Sequence, residues 1–198
     1  MSVDPLAELE PTIEDTAPDE PTEREIVDRA RRGDREAVGL IYDRYVSSIY
    51  RYVLGHVGHA GDAEDLTEEV FLRVIEYIGR FEWHDVPFSA WIFRIAKNQV
   101  ISHHRRRGSR PIGVSTDEID LEDARLGPDR EVEQAMMVRE VLAACQNLPE
   151  SQRQVIALRF GSDLSVRETA EALGKTENNV KVLQHKAIAK LQKLLGHQ

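Results

Sequence analysis

This 198-residue chain contains little that would tie it to a membrane or to an oxidising compartment. Its single cysteine, Cys145, cannot form an internal disulfide, which fits a reducing cytoplasm. No apolar run approaches the roughly 18 residues that are needed to span a bilayer. The first 23 residues contain neither the basic segment nor the apolar run of a secretory signal. We therefore expect a cytoplasmic protein that is not inserted in a membrane.

The sequence also lacks the usual signatures of catalysis. It has no evident nucleophile–base pair, phosphate-binding loop or pair of catalytic carboxylates. Two histidine pairs, His56 with His59 and His103 with His104, raise the alternative of a helical metalloenzyme. Their spacing is loose, Gly58 interrupts any helix between the first pair, and no cysteine or carboxylate lies nearby at ligand spacing. We therefore predict no enzymatic activity, no cofactor and no metal site.

The acidic residues are concentrated in two segments. The chain has 35 acidic and 26 basic residues and a formal net charge of −9, which by itself argues against nucleic acid as a partner. Residues 1–23 carry −8 and residues 111–135 carry −6, and both segments are interrupted by prolines, which favours disorder or an extended chain. Residues 24–110 carry +2 and residues 136–198 carry +3. We expect an acidic tail (1–22), a folded block (23–110), a linker (111–135) and a second folded block (136–198).

Both blocks are predicted to be all-α, because no segment alternates like a strand. The first helix begins with a capping box at Thr22 to Glu25, and glycines at 55, 58 and 61 are expected to end the second helix. Asp62 is expected to cap a third helix, whose polar side faces outward. The second helix is predicted to start at Asp34 and the fourth at Pro87. The third helix is expected to bury Leu66, Val70, Phe71, Val74, Ile75 and Ile78.

The C-terminal block contains a helix-turn-helix pattern. Such a motif requires a small residue where its helices cross, a glycine in the tight turn and apolar residues that seat the second helix. Ala170, Gly174, Val180 and Leu183 meet these requirements. Donors that could reach phosphates or base edges, and a valine that could contact a thymine methyl, line the outward side of the second helix. This outward row is Asn178, Lys181, Val182, His185 and Lys186.

Together the two blocks resemble the extracytoplasmic-function group of bacterial sigma-70 family sigma factors. Residues 62–71 (DAEDLTEEVF) and residues 88–98 (FSAWIFRIAKN) are similar to region 2 of that family. Residues 148–158, followed by the helix-turn-helix, are similar to region 4. The resemblance covers about residues 24–110 and 136–195, and two independent motifs in the family's order make it specific.

The resemblance implies a partner and a mechanism. Region 2 of such proteins binds the clamp helices of the polymerase β′ subunit and holds the −10 promoter element unpaired. Region 4 binds the β flap and places its recognition helix in the major groove of the −35 element. The matching positions are Asp65, Glu68, Glu69 and Arg73 for polymerase, Trp83, His84, Arg94, Lys97, Asn98, Ile101 and Arg105 for the −10 element, and the outward row for the −35 element.

Some of these assignments have alternatives. Trp83 either stacks on a flipped −10 base or packs at the edge of the core, whereas Trp91 is expected in the core. Leu183 and Gln184 depart from the family's usual order of a basic and then an apolar residue. That departure leaves open whether Val182 or His185 reads a base.

Function has an alternative as well. The chain could be a stand-alone helix-turn-helix regulator with a helical sensing or dimerising domain, and binding to core polymerase would discriminate between the two. The resemblance also implies control by an anti-sigma factor, and the linker is long enough for the two blocks to close on an inhibitor or open on polymerase. The acidic tail and linker could compete with DNA for the basic surfaces.

Overall fold

The computed structural model describes residues 21–83, 86–106, 137 and 140–196. Every regular element in these ranges is helical, as predicted. The expected acidic tail and the 111–135 linker lie outside the described residues. The elements are α1 (Glu23–Arg31), α2 (Arg35–Val57), α3 (Ala60–Tyr77) with a 3₁₀ turn (Ile78–Arg80), α4 (Phe88–Arg106), α5 (140–146), α6 (Glu150–Ile156) with a π-helical turn (Ala157–Gly161), α7 (Val166–Leu173) and α8 (Glu177–Leu195).

Local capping chemistry fixes several helix starts. The Thr22 hydroxyl accepts from the Glu25 backbone N–H while the Glu25 carboxylate accepts from Thr22, so both halves of the predicted capping box form. Asp34 caps α2 as predicted. α3, however, begins three residues earlier than predicted, at Ala60, because the His59 ring caps it by accepting from the Asp62 backbone N–H. Asp62 therefore lies within the first turn rather than at the cap.

The glycines between α2 and α3 do not all break the helix. α2 continues through Gly55, and only Gly58 ends it, in the left-handed conformation with φ of 76°. Gly61 lies inside α3. The prediction that all three would break the helix is therefore wrong for two of them, because a glycine in a helix interior lowers stability only modestly when the neighbouring turns are well packed.

One apolar cluster joins the two sequence blocks. Its members in α1–α4 include the fully buried Tyr52, Phe88 and Phe93, and its members in the second block include Val155 and Leu158. α4 packs against α7, and α2 packs against the π-helical turn. The described parts of the two blocks thus form one compact unit.

Three large apolar residues on helices are exposed, and one of them, Ile75, was expected to be buried. Ile75 is 55% exposed on α3, and Leu194 is 38% exposed near the end of α8. Tyr42 is 44% exposed, although its ring lies 4.7 Å from that of Phe71. Each residue fits the helical period but lies at the edge of the apolar stripe of its helix. At such an edge the period alone does not predict whether a neighbouring helix covers the side chain.

The turn between α7 and α8 gives a stability prediction with an internal control. Gly174 has φ of +64°, and a Cβ there would meet no atom within 4 Å, so Gly174→Ala adds backbone strain without a clash. We expect a loss of about 1 kcal/mol in the free energy of unfolding. Gly39→Ala, at an equally open position inside α2, should stabilise the protein by about 0.5–1 kcal/mol. Urea denaturation of both variants measures the two effects, and the same sign for both would contradict this interpretation.

Candidate nucleic-acid and polymerase interfaces

The α7–α8 unit has the geometry of a helix-turn-helix. Ser165 and Glu168 form a second capping box at the start of α7, and Thr176 caps α8. Between the helices, the Lys175 backbone N–H donates to the Ala170 carbonyl at 2.9 Å, which closes the turn around the left-handed Gly174. Because each end of the turn is capped, the direction of α8 is set by backbone geometry.

The outward row of α8 is exposed along its whole length. Val182 is 44% exposed, although an apolar side chain at this position gains nothing from contact with water. Leu183 packs against the core cluster, and the Gln184 side chain accepts from Arg159 Nε at 3.1 Å. The two residues that depart from the family pattern therefore face the body of the protein. All five members of the row, Asn178, Lys181, Val182, His185 and Lys186, face solvent.

The polar side of α3 also faces solvent. Asp65, Glu68 and Arg73 are exposed, and Arg73 pairs with Glu76 at 2.6 Å. Glu69 accepts from Arg106 Nη2 of α4 at 3.3 Å. The exposed apolar side chains Leu72 (65%) and Ile75 (55%) lie on the same helix among these charges. Sequence analysis missed them because it assigned Ile75 to the core and did not assign Leu72 to either face.

The basic side of α4 is occupied by the carbonyl end of α7. Arg94 Nη2 donates to the Glu171 carbonyl at 2.8 Å, and Lys97 Nζ donates to the Leu173 carbonyl at 3.4 Å. Cations at this position complement the partial negative charge of a helix C-terminus. Burial and the nearby Arg94 and Lys175 charges lower the pKa of Lys97. Of the other α4 residues predicted to bind DNA, Asn98, Ile101 and Arg105 are exposed.

Further hydrogen bonds cross between the two blocks. Ser89 Oγ donates to Glu168 Oε1 at 2.5 Å, and Arg51 Nε donates to the Gly161 carbonyl at 2.8 Å. Ser162 Oγ donates to the Ser48 carbonyl at 3.2 Å. These bonds join α4 to α7 and join α2 to the residues at the end of the π-helical turn.

Trp83 lies at the edge of the core, beside α1. Its Nε1 donates to Asp28 Oδ1 at 2.8 Å, and the Arg24 guanidinium lies 5.3 Å from the indole ring centroid. The Phe81 ring meets Trp83 edge to face at 5.0 Å. His84, which was predicted together with Trp83 to contact the −10 element, lies outside the described residues. Trp91 is partly buried against the core cluster, 5.3 Å from the Phe88 ring centroid.

A buried histidine lies between α2 and α6. His56 Nδ1 is 2.7 Å from the Tyr52 carbonyl, so this nitrogen donates, whereas Nε2 has no hydrogen-bond partner and lies 3.9 Å from Glu150 Oε1. Burial lowers the pKa of His56 to about 4. Glu150 and Arg153 of α6 and His104 of α4 also face the ring. None of the described residues form a group of three or more potential metal ligands.

This histidine makes stability depend on pH. In the unfolded chain His56 should titrate near its ordinary pKa of about 6.5, whereas in the folded protein it stays neutral until about pH 4. The unfolded state therefore binds more protons in this window, so the free energy of unfolding should fall as the pH is lowered from 6.5 towards 4. His56→Gln should show a shallower decline in urea titrations between pH 7 and pH 5. Equal slopes for the two proteins would contradict the assignment.

Comparison with known families and proteins follows the same division of the chain. Residues 41–110 match the family described as Sigma-70 region 2, and residues 144–193 match Sigma-70, region 4. The chain is 38% identical over 172 residues to the ECF RNA polymerase sigma factor BldN of Streptomyces coelicolor, with 86% of this chain and 65% of BldN covered. It is 34% identical over 162 residues to the ECF RNA polymerase sigma factor SigX of Bacillus subtilis, with 80% and 83% covered. The chain thus spans just under two thirds of BldN and a larger share of SigX.

Two solved structures share the fold. CnrH, in complex with the cytosolic domain of CnrY, superimposes with a TM-score of 0.67 at 22% identity, covering 88% of this chain and 97% of CnrH. The sigma factor RpoE in complex with the anti-sigma factor NepR from Bartonella quintana gives a TM-score of 0.63 at 23% identity, covering 80% and 96%. At these identities the comparison concerns the arrangement of helices. None of the described helices is long and apolar enough to cross a membrane.

Proposed function

Because this chain belongs to the ECF group of sigma-70 family RNA polymerase sigma factors, we propose that it binds core RNA polymerase and directs promoter-specific transcription initiation. It acts in the cytoplasm as an initiation factor without an enzymatic activity of its own. The observation that supports this most directly is that both family regions occur in order, each with an exposed polar surface on the expected helix. Residues 23–110 and 136–198 are the two functional units.

Region 2 contributes polymerase binding and −10 engagement. The α3 surface of Asp65, Glu68, Glu69 and Arg73 binds the β′ clamp helices, and the exposed Leu72 adds apolar area that such an interface would cover. On α4, side chains that point away from the core follow the DNA backbone and the unpaired −10 strand. These are Arg94, Lys97, Asn98, Ile101 and Arg105. The segment before α4, which contains Trp83 and His84, is assigned to the same element.

Region 4 contributes −35 recognition and contact with the β flap. The outward row of α8 presents Lys181 and Lys186 to phosphates or base edges and Val182 to a thymine methyl. Val182 and His185 are both exposed, and Leu183 and Gln184 face inward, so the departure from the family pattern leaves the outward row intact. Val182 and His185 both remain candidates for reading bases.

In the described closed arrangement, α7 of the second block covers part of the proposed −10 surface on α4. Arg94 and Lys97, which are assigned to the −10 element, donate to carbonyls at the end of α7, whereas the −35 row of α8 is exposed. Engagement of the −10 element therefore requires α7 to release these two cations. A partner that holds the blocks together inhibits the protein, and we assign this role to an anti-sigma factor. RpoE, which shares this fold, was solved in complex with the anti-sigma factor NepR.

Run-off transcription tests the proposed function. With bacterial core RNA polymerase and fragments of the source genome, the chain should produce transcripts with discrete starts, and core polymerase alone should not. Lys181→Ala should reduce transcription from the promoters so identified by roughly tenfold, as expected for about 1–3 kcal/mol per specific contact. The matched control is Lys193→Ala, an exposed lysine near the other end of α8. Failure to bind core polymerase would overturn the proposal in favour of a stand-alone regulator.

Opening of the closed arrangement can be measured directly. Arg51 donates across the contact to the Gly161 carbonyl and belongs to no proposed DNA or polymerase surface. Arg51→Ala should shift the free protein towards the open arrangement, seen as lower energy transfer between dyes at the exposed Glu64 and Glu177 after cysteine substitution. Arg44→Ala, which removes an exposed arginine from the same helix, is the control. If both variants match the unsubstituted protein, Arg51 does not hold the blocks together.

A further inference from the structure

The loop between the 3₁₀ turn and α4 is fastened to α1 through one tryptophan. Phe81 anchors the start of the loop in the core at 4% exposure, and Pro87 leads into α4. Between them, Trp83 Nε1 donates to Asp28 Oδ1 at 2.8 Å, joining residues 55 positions apart in the sequence. The Trp83 indole therefore has its polar edge engaged by α1 rather than free for a nucleotide.

The face of the indole is also engaged. The Arg24 guanidinium lies 5.3 Å from the ring centroid, and Phe81 packs edge-on at 5.0 Å. A base that stacked on the face next to Arg24 would first have to displace this arginine. These contacts favour the second of the two interpretations of Trp83, a residue that shapes the loop rather than one that stacks on a base.

The platform that holds Trp83 is itself rigidly connected. α1 buries Ile26, Val27 and Ala30, and the capping box at Thr22 fixes its start. Its far end is tied to α2, because Arg29 Nε donates to Asp34 Oδ2 at 2.7 Å. Asp28 therefore projects from a helix that is fixed at both ends.

Asp28 is held in its ionised form while its Oδ1 accepts from the indole. The hydrogen bond from Trp83 lowers the pKa of Asp28, and the neighbouring Arg31, whose Nη1 lies 3.2 Å from the same Oδ1, also favours the ionised form. The hydrogen bond to this oxygen fixes the position of the Trp83 side chain relative to α1.

We propose that Asp28 is a positioning residue for promoter opening: by fixing the indole of Trp83, it holds the described start of the loop before α4 against α1 and so governs how the −10 strand is captured. This inference rests on the proposed function, since it assigns the loop to the −10 element. It adds α1 to the parts of the protein that support opening of the −10 element.

Three substitutions separate the contributions of Asp28. Asp28→Ala removes the acceptor and the charge. Asp28→Asn keeps an oxygen that can accept from the indole but removes the charge. Arg31→Ala removes the ion pair and leaves the indole bond. If the hydrogen bond to Trp83 is what matters, only the alanine at position 28 should have a large effect.

The measurement uses the full chain with core polymerase on promoters recovered by genomic run-off. Asp28→Ala should lower open-complex formation on the duplex promoter by about fivefold, the factor expected for one lost hydrogen bond. On a template whose −10 element is already unpaired, the loss should be smaller, because strand opening is bypassed. Asp28→Asn and Arg31→Ala should stay within about twofold on both templates. Binding to core polymerase should be unchanged in all three variants.

Fluorescence supplies a readout that does not depend on transcription. Comparison with Trp83→Phe identifies the emission of Trp83, which should shift to the red in Asp28→Ala but not in Asp28→Asn, because only the former frees the indole N–H to water. Equal activity of Asp28→Ala and the unsubstituted protein on the duplex promoter would overturn the inference while leaving the proposed function intact. Equal loss in Asp28→Ala and Asp28→Asn would also overturn it, since the charge rather than the indole bond would then be responsible.

Discussion

The arrangement of the two helical blocks depends on hydrogen bonds from α4 side chains to the carbonyl end of α7. The last carbonyls of any helix lack partners within that helix, and here Arg94 and Lys97 supply donors for two of them. The partial negative charge at the end of α7 thus occupies the two cations that we propose for the −10 element. The same geometry brings the apolar faces of α4 and α7 together, so that residues of both blocks share one core.

Local rules of the chain predicted most of the fold. The capping boxes at Thr22 and Ser165 and the left-handed glycine at 174 depend on a few adjacent residues, so their structural outcome can be derived from the sequence. His59 was missed as a cap because a histidine ring accepts a backbone N–H less often than Asp or Ser does. The exposure of Ile75 could not be derived, since it depends on which neighbouring helix covers that side of α3.

The candidate site likewise has a part that local sequence predicts and a part that it does not. The outward row of α8 follows from the helical period once the turn is located, and all five residues are exposed. The partners of Trp83 and of Arg94 could not be predicted, because Asp28 and Glu171 are 55 and 77 positions away and no local pattern relates them. Contacts between distant segments of this kind determine which functional side chains are free and which are occupied.

Three polar atoms are buried without a hydrogen-bond partner where α2 meets α6. Tyr52 Oη, His56 Nε2 and Arg153 Nε are buried there without partners among the described residues. An unpartnered buried polar group costs about 1–3 kcal/mol relative to one that is hydrogen-bonded, and each would regain water if the helices separated. Hydration of these three atoms would therefore offset part of the free-energy cost of exposing apolar surface when the helices separate. Separation of the two helices therefore costs less free energy than the buried apolar area alone would indicate.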